Sequence, residues 1–237
     1  MDKELNILSI DFDFFQIVDV DTIRYYYPDG CDLPSELSSL VWNSRYSIPQ
    51  YRKVLEKVQV DKNHLAELKL LLDTSFSQKK VDYLSISQSH KRAFWFIQNV
   101  LEKCPDTGKV NIVNIDLHHD IENGNSLLDC GNWVSFLLKW LTKMHINRTF
   151  KWIAKPVSFE GYGLDEQDEQ LSEFFVNADF SSLTGIVWDA IFLCRSDNWL
   201  PPHLDADFTE FASYLKEHAT STTSDPALKE RKIKREE

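Results

Sequence analysis

Two apolar stretches of the sequence end abruptly in side chains that bind metal ions or move protons. The run "VNIVNI" is followed by Asp116, His118 and Asp120, and the N-terminal run "LNILSI" is followed by Asp11 and Asp13. In an extended chain, residues two positions apart point to the same side, so each set would share one face. Carboxylates and imidazoles grouped in this way are typical ligands of a divalent cation.

A further histidine follows a third apolar run, "VDYLSIS", by three residues. Because ligands of open α/β sheets bind beyond the carboxyl ends of the strands, we expect the three strand ends to share one site. Four carboxylates placed together repel one another unless cations neutralise them. Six mainly oxygen ligands exceed the needs of one ion and suit Mn²⁺ better than Zn²⁺, so we predict two Mn²⁺ ions. The predicted ligands are Asp11, Asp13, His90, Asp116, His118 and Asp120.

Each motif also has a purely structural interpretation. A single D-x-D at a strand end often forms a turn or caps a helix, and D-x-H-x-D can form a turn as well. His90 could begin a helix and pack on Phe94. The metal-binding interpretation depends on the three motifs occurring together at the ends of parallel strands.

Strand and helix patterns alternate along the chain. Strands are predicted at residues 5–11, 81–87, 109–116, 149–156 and 185–196, and helices at residues 50–74, 90–103, 132–144, 165–178 and 205–218. The stretch 50–74 reads as two helices that meet near Asp61, a residue suited to an N-cap, whereas the proline-containing stretch 16–48 reads as irregular. This alternation predicts an α/β fold with three αβα layers and a mainly parallel sheet.

Length and composition favour one folded domain. The 237 residues are 43% apolar and carry a net charge of −11, which excludes wholesale disorder and disfavours binding to nucleic acids or anionic membranes. We expect a catalytic domain over residues 1–219 and a charged tail, flexible or helical, over residues 220–237. The four cysteines lack C-x-x-C spacing, the N-terminus is acidic, and no apolar run could span a membrane. These features predict a cytoplasmic location, and they leave the oligomeric state open.

The motifs resemble those of the arginases and agmatinases, the ureohydrolase family. In that family a D-x-H-x-D motif, an upstream histidine and a D-x-D pair hold two Mn²⁺ ions, and "DIEN" (120–123) and "GNWVSFLL" (131–138) are also similar to arginase segments. The early "SIDFDFF" and late "DNWLPP" resemble the rearranged order of the peptide arginases of ribosomal peptide biosynthesis. The resemblance spans scattered motifs between residues 7 and 202. It implies an arginase/deacetylase-like fold and conversion of arginine in a precursor peptide to ornithine and urea.

The resemblance also implies roles in catalysis. Asp120 would hold the attacking water molecule and accept its proton. Arginases have a proton-shuttling histidine where this chain has Trp133. His119 is the candidate to replace that histidine, although the parity of an extended strand would point it away from the metal ions.

The substrate would need a carboxylate partner, because a guanidinium group binds planar carboxylates through two hydrogen bonds. Asp197, in "CRSDNWLPP", is the first candidate, although it could instead cap a turn. Trp199 could stack on the guanidinium group or belong to the core. Further candidates are Glu160 and Glu122 for the carboxylate and Asn123 for contact with the substrate backbone.

Other chemistries share parts of the pattern. Phosphatases of the haloacid dehalogenase type also begin with a strand ending in D-x-D, but they need Thr or Val where this chain has Phe15. Two-metal phosphoesterases share D-x-H, but "GNW" lacks the histidine that they carry downstream. A ureohydrolase acting on free arginine or agmatine and a non-catalytic protein with a structural metal are the remaining alternatives.

Overall fold

The alternating strands and helices of the sequence form a parallel sheet that is covered on both faces. The computed structural model describes residues 3–28, 32–122, 127–160, 175–176 and 180–233, with the backbone alone at residues 160, 175 and 176. The strands are β1 (Lys3–Asp11), β2 (Gln16–Ile17), β3 (Gln59–Val60), β4 (Val81–Ser87), β5 (Thr107–Ile115), β6 (Asn147–Ile153), β7 (Phe175–Val176), β8 (Ala190–Cys194) and β9 (Ala219–Ser224).

Seven of these strands form one sheet in the order β7-β6-β5-β1-β8-β4-β9, and every neighbouring pair is parallel. The short strands β2 and β3 pair separately and are antiparallel. Because all seven strands run in one direction, their carboxyl ends lie along a single edge of the sheet. Loops from strands that are far apart in sequence therefore meet at that edge.

Helices pack on both faces of the sheet. They are α1 (Val20–Tyr26), α2 (Ser35–Ser47), α3 (Pro49–Leu55), α4 (Lys62–Phe76), α5 (Arg92–Lys103), α6 (Trp133–Lys143), α7 (Pro156–Glu160) and α8 (Asp205–Glu217). α4 and α8 cover one face, and α5 and α6 cover the other. The adjacent residues Ile7 and Leu8 of β1 are both fully buried in opposite cores, as a central parallel strand requires. The predicted three-layer α/β fold is confirmed.

Most predicted elements are present with shifted ends. The five predicted strands correspond to β1, β4, β5, β6 and β8. The predicted helical stretch 50–74 corresponds to α3 and α4, and three others correspond to α5, α6 and α8. Asp61 caps α4, accepting a hydrogen bond from His64 N at 3.2 Å. The predicted helix at residues 165–178 lies outside the described residues except at Phe175–Val176, where a strand replaces it. None of the described helices has both the length and the apolar character needed to cross a membrane.

The prediction of an irregular segment over residues 16–48 is wrong. Asp19 caps α1 by accepting a hydrogen bond from Thr22 N at 2.7 Å, a local signal that the sequence contained. Helix α2 has only a weakly apolar sequence, but it buries Trp42 and Tyr46 completely in a small core between the helices. Tertiary packing therefore stabilises a helix that local propensity did not indicate.

The tail also differs from its prediction. Residues 219–224 form the edge strand β9, paired in parallel with β4, where a flexible or helical tail was expected. Further along, Arg231 is 5% exposed and donates from Nη1 to Asp197 O at 2.6 Å and from Nε to Asp205 Oδ2 at 3.1 Å. The Ser- and Thr-rich sequence of β9 has no apolar pattern, so the sequence alone does not predict that this segment pairs with β4.

Replacing Arg231 with Met is expected to lower the free energy of unfolding by about 3 kcal/mol, because Asp205 would lose a buried cationic partner. Equilibrium urea unfolding measures this change. Lys229→Met is the matched control, since Lys229 forms an exposed ion pair with Glu36 and should leave stability nearly unchanged. Equal effects of the two substitutions would show that the Arg231 contacts do not contribute to folding.

Candidate metal centre

Three strand ends meet at the carboxyl edge of the sheet and bring the predicted ligands together. Strand β1 ends at Asp11 and continues into a 3₁₀ turn that carries Asp13, β5 leads directly into Asp116, and the loop after β4 carries His90. All four of these side chains are 2% exposed or less. Two overlapping groups have the geometry to hold a metal ion. The first group is Asp11, His90 and Asp116, and the second group is Asp13, Asp116 and His118.

Two carboxylates of the first group and that of the neighbouring Asp120 converge on one imidazole nitrogen. His90 Nδ1 lies 3.2 Å from Asp11 Oδ2, 2.9 Å from Asp116 Oδ2 and 3.2 Å from Asp120 Oδ2. This nitrogen makes no well-formed hydrogen bond to any described residue. The other ring nitrogen, Nε2, is 2.7 Å from Ser9 Oγ. If Nε2–H donates to Ser9, Nδ1 carries the lone pair that a metal ligand needs.

In the second group, His118 Nδ1 lies 3.2 Å from Asp13 Oδ2 and 3.5 Å from Asp116 Oδ1. Both carboxylate oxygens of Asp13 are buried, and within the described residues His118 is the only ion-pair partner and makes no well-formed hydrogen bond to them. A buried carboxylate in this condition is costly unless a cation lies beside it. Asp116 presents one oxygen to each group, which is the position of a bridging ligand. The buried cluster can therefore hold a metal ion, and its oxygen-rich donors fit a divalent cation.

Residues outside the two groups hold the ligands in place. Trp133 Nε1 donates to Asp120 Oδ2 at 2.6 Å, and Ser196 Oγ donates to Asp11 Oδ2 at 2.8 Å. Asp120 and Ser196 both adopt left-handed backbone conformations, with φ of 53° and 56°. The backbone of Asp120 is also fixed, because its carbonyl accepts a hydrogen bond from Val134 N at 3.1 Å. Such strained conformations persist only where surrounding contacts impose them.

Sequence reasoning missed these supporting residues. Ser9 follows the alternation of β1, and its parity could have placed it on the same face as Asp11. Trp133 was noted only because arginases have a histidine there, and its indole N–H was not considered as a donor. Ser196 carried no local signal, since its contact depends on β8 lying next to β1.

The expected extended backbone at the ligands is wrong, although the ligands do converge. The chain leaves the strand after Ile115, and Asp13 lies in the 3₁₀ turn Phe12–Phe15. Asp11 caps this turn by accepting from Asp13 N at 3.3 Å, and Asp116 Oδ1 accepts from His118 N at 2.8 Å. The turn and cap interpretation of these motifs is therefore correct, and it is the turns that bring the carboxylates into the cluster.

Of the two residues predicted for proton transfer, one lies in the cluster and the other does not. Asp120 belongs to the cluster through its contact with His90. His119 instead accepts a hydrogen bond at Nδ1 from Ile121 N at 3.0 Å, and its ring lies edge-on to that of Trp152 at 6.1 Å. The structure does not bring His119 into either metal-binding group.

The structure argues against the predicted substrate role of Asp197. Its Oδ1 accepts from Arg195 Nε at 2.5 Å, and its Oδ2 accepts from Arg195 Nη2 at 3.0 Å and from Ser35 Oγ at 2.6 Å. Asp197 thus binds a guanidinium group in the expected bidentate way, but the group belongs to the chain's own Arg195. The arginine two positions upstream was the signal that could have indicated this pair.

A narrow cleft opens beside the first group, and its walls include His90, Cys130, Ser196 and Trp199. Trp199 is half-buried, and its ring centroid lies 4.5 Å from that of His118. Trp199 therefore lies beside His118 and along this cleft, and it also packs against the small core that contains Trp42. Its contact with a substrate stays a prediction.

The other predicted substrate residues have less defined positions. Asn123 and the side chain of Glu160 lie outside the described residues. The side chain of Glu122 is exposed, and its backbone N–H donates to Gly131 O at 3.0 Å. A Cβ atom at Gly131 would lie 3.3 Å from Glu122 Cδ, so this glycine lets the carboxylate approach the start of α6.

Burial and mutual repulsion shift the pKa values of the cluster. Burial and the charge of Asp11 raise the pKa of Asp13 to about 7. Burial alone would lower the pKa of His90, but the surrounding carboxylates, above all Asp116, hold it well above its usual range. Burial and the charge of Asp116 raise the pKa of Asp120, whereas the neighbouring histidines outweigh burial and lower that of Asp116. Without a cation, the cluster therefore retains protons near neutral pH.

Comparison of the chain with protein-family models, with curated proteins and with solved structures gives no match.

Asp116→Asn is expected to abolish metal binding by both groups, because one oxygen of Asp116 faces each of them. His118→Ala should weaken only the second group and leave one ion bound. Metal content after dialysis, measured by mass spectrometry, distinguishes the two results. Asp207→Asn, which removes an acid that pairs with the exposed Lys62 and belongs to neither group, is the control. Full metal content in Asp116→Asn would contradict the bridging assignment.

Metal binding is expected to release protons at pH 7 and to strengthen as the pH rises from 6 to 8. The reason is competition: Asp13 and His90 have raised pKa values, and each must lose its proton before it can bind a cation. Calorimetric titrations in buffers with different ionisation enthalpies measure the number of protons released. An affinity that is independent of pH over this range would show that these two groups do not bind the ion.

Proposed function

We propose that this chain is a metal-dependent hydrolase that acts on the guanidinium group of arginine in a ribosomally made precursor peptide, leaving ornithine and releasing urea. The observation that carries the proposal is the convergence of all six predicted ligands in one buried cluster at the carboxyl edge of a parallel sheet. The resemblance of the same motifs to those of arginases supports the choice of reaction.

Two Mn²⁺ ions are assigned to the cluster, one to each metal-binding group. The assignment is supported by the oxygen-rich donor set and by the four carboxylates, whose charge two divalent cations would balance. When bound, such ions supply Lewis-acid catalysis and lower the pKa of water towards neutrality. Asp116 would serve both groups, and the buried carboxylate of Asp13, which makes no well-formed hydrogen bond to a described residue, would gain a cationic partner besides His118.

Asp120 is assigned as the residue that accepts the proton of the attacking water. Its Oδ2 is held by Trp133 Nε1, so Oδ1 is the atom left to take the proton. The indole also keeps the carboxylate of Asp120 oriented towards His90. Such a fixed orientation is needed because a general base must lie within hydrogen-bonding distance of the proton that it accepts. His119 is assigned no part in this step, because its Nδ1 is engaged by Ile121 N.

The substrate is assigned to the cleft beside the first group. Trp199, next to His118, offers an aromatic face for the planar guanidinium group. Because Asp197 is occupied by Arg195, Glu122 is the preferred carboxylate partner. Its side chain is exposed and lies beside Gly131, adjacent in sequence to the cleft residue Cys130. The net charge of −11 favours a cationic substrate.

Urea release by the Mn²⁺-loaded protein tests the proposal. An arginine-containing peptide, free arginine and agmatine are supplied in parallel, and a phosphate ester is supplied as the competing substrate class. Asp120→Asn should lower kcat by about 10² or more, the usual contribution of a general base. Asp207→Asn should be as active as the wild type, since its side chain pairs with Lys62 on the surface.

Urea from the peptide alone is the expected result. Urea from a small guanidine would keep the chemistry and discard the peptide substrate. Metal retention without urea from any compound would overturn the proposal, and hydrolysis of the phosphate ester would then identify a phosphoesterase.

A further inference from the structure

A second pocket lies beside the turn that carries Asp13. It is open, has a volume of ≈ 400 Å³ and is lined by residues that include Gln16, Asp61, His64 and Lys155. Lys155 follows β6 by two residues, so it stands at the same carboxyl edge of the sheet as the metal cluster. The assigned hydrolytic reaction makes no use of this pocket.

Lys155 is a buried ammonium group that forms no ion pair with any described residue. The residue is 8% exposed, and its Nζ donates to Gln16 O at 3.3 Å and lies 4.7 Å from the centroid of the Phe14 ring. Nζ has three N–H donors, and this single long hydrogen bond occupies one of them. Within the described part of the chain, no carboxylate forms an ion pair with it. Lysines are almost never this buried unless they are paired.

The acidic groups of the pocket are already bound elsewhere. Asp61 accepts hydrogen bonds from His64 N and His64 Nδ1, at 3.2 and 2.7 Å. Asp19 accepts from Thr22 N and Thr22 Oγ1, at 2.7 and 2.9 Å. Each carboxylate caps the helix that begins beside it, α4 or α1. They contribute negative charge at a distance but do not contact the Lys155 ammonium group.

His64 adds a second polar contact to the pocket. Its Nδ1 is engaged by Asp61, and its side chain is 35% exposed, so Nε2 is the ring nitrogen left for a ligand. Burial lowers the pKa of Lys155, while the charges of Asp61 and Asp13 act in the opposite direction. An anion in contact with Nζ would compensate the burial of this cation directly.

We propose that this pocket binds a small oxyanion, a carboxylate or a phosphate group, through the ammonium group of Lys155, with His64 Nε2 as a second contact. The site is distinct from the metal-binding cluster, although the charge of Asp13 acts on Lys155. It does not require the assigned hydrolytic reaction, because it rests on a lysine without an ion pair among the described residues, on the pocket and on the engaged acids around it.

Calorimetric titration of the Mn²⁺-loaded protein with inorganic phosphate and, separately, with acetate tests this proposal at constant ionic strength. Lys155→Met should weaken anion binding at least tenfold, whereas Lys155→Arg should retain it. Lys57→Met is the matched control, because Lys57 is an exposed lysine that lines the neighbouring pocket. Any anion bound by the metal centre itself would be unaffected by the Lys155 substitutions and so is measured in the same experiment.

Binding of phosphate alone would support a phosphate site, and binding of both probes would support a site for carboxylates as well. Near-UV circular dichroism checks that Lys155→Met is folded. If it is not, His64→Gln provides the second variant and should lower affinity several-fold. Equal binding by the wild type and a folded Lys155→Met, or no binding by the wild type, would overturn the proposal.

Discussion

The crowding of four buried carboxylates at one edge of the sheet is the constraint on which the rest of the site depends. Asp11, Asp13, Asp116 and Asp120 are each 4% exposed or less, and in the described part of the chain only histidines form ion pairs with them. Burial of like charges is unfavourable, and the raised pKa of Asp13 is one expression of that cost. The parallel strand order creates the crowding, because it directs every strand's carboxyl end to the same place.

The surrounding structure holds this unfavourable arrangement by fixing each ligand from a different element. Ser9 of β1 contacts His90, the indole of Trp133 at the start of α6 contacts Asp120, and the loop after β8 contacts Asp11. Ser9 contacts the ring nitrogen of His90 that is remote from the carboxylates, whereas Trp133 and Ser196 donate to the carboxylate oxygens nearest His90, so all three orient the side chains of the cluster. The left-handed backbone at Asp120 shows how much local strain the packing supports.

The parts of the structure that sequence predicted are those in which the signal is local. A continuous apolar run predicts a buried strand, and polar residues directly after such a run indicate the edge of the sheet where ligands bind. The extended-parity argument selected side chains that do converge in the structure, although turns replace the extended chain after each strand. The strand β9 and the helix α2 could not be predicted in this way, since contacts with residues far away in sequence stabilise both.

The ion pairs of Asp197 show that one buried group of charges is neutral, in contrast to the metal-binding cluster beside it. Its carboxylate and that of Asp205 are matched by Arg195 and Arg231, so this buried network is neutral by itself. The network lies directly behind Ser196, which contacts the metal-binding cluster, yet it lends the cluster no positive charge. All four arginine and aspartate charges there are internally satisfied, whereas the cluster is not. Its charge is compensated either by retained protons or by cations that bind to the folded protein, and the second route is the physical argument for a metal centre at this edge of the sheet.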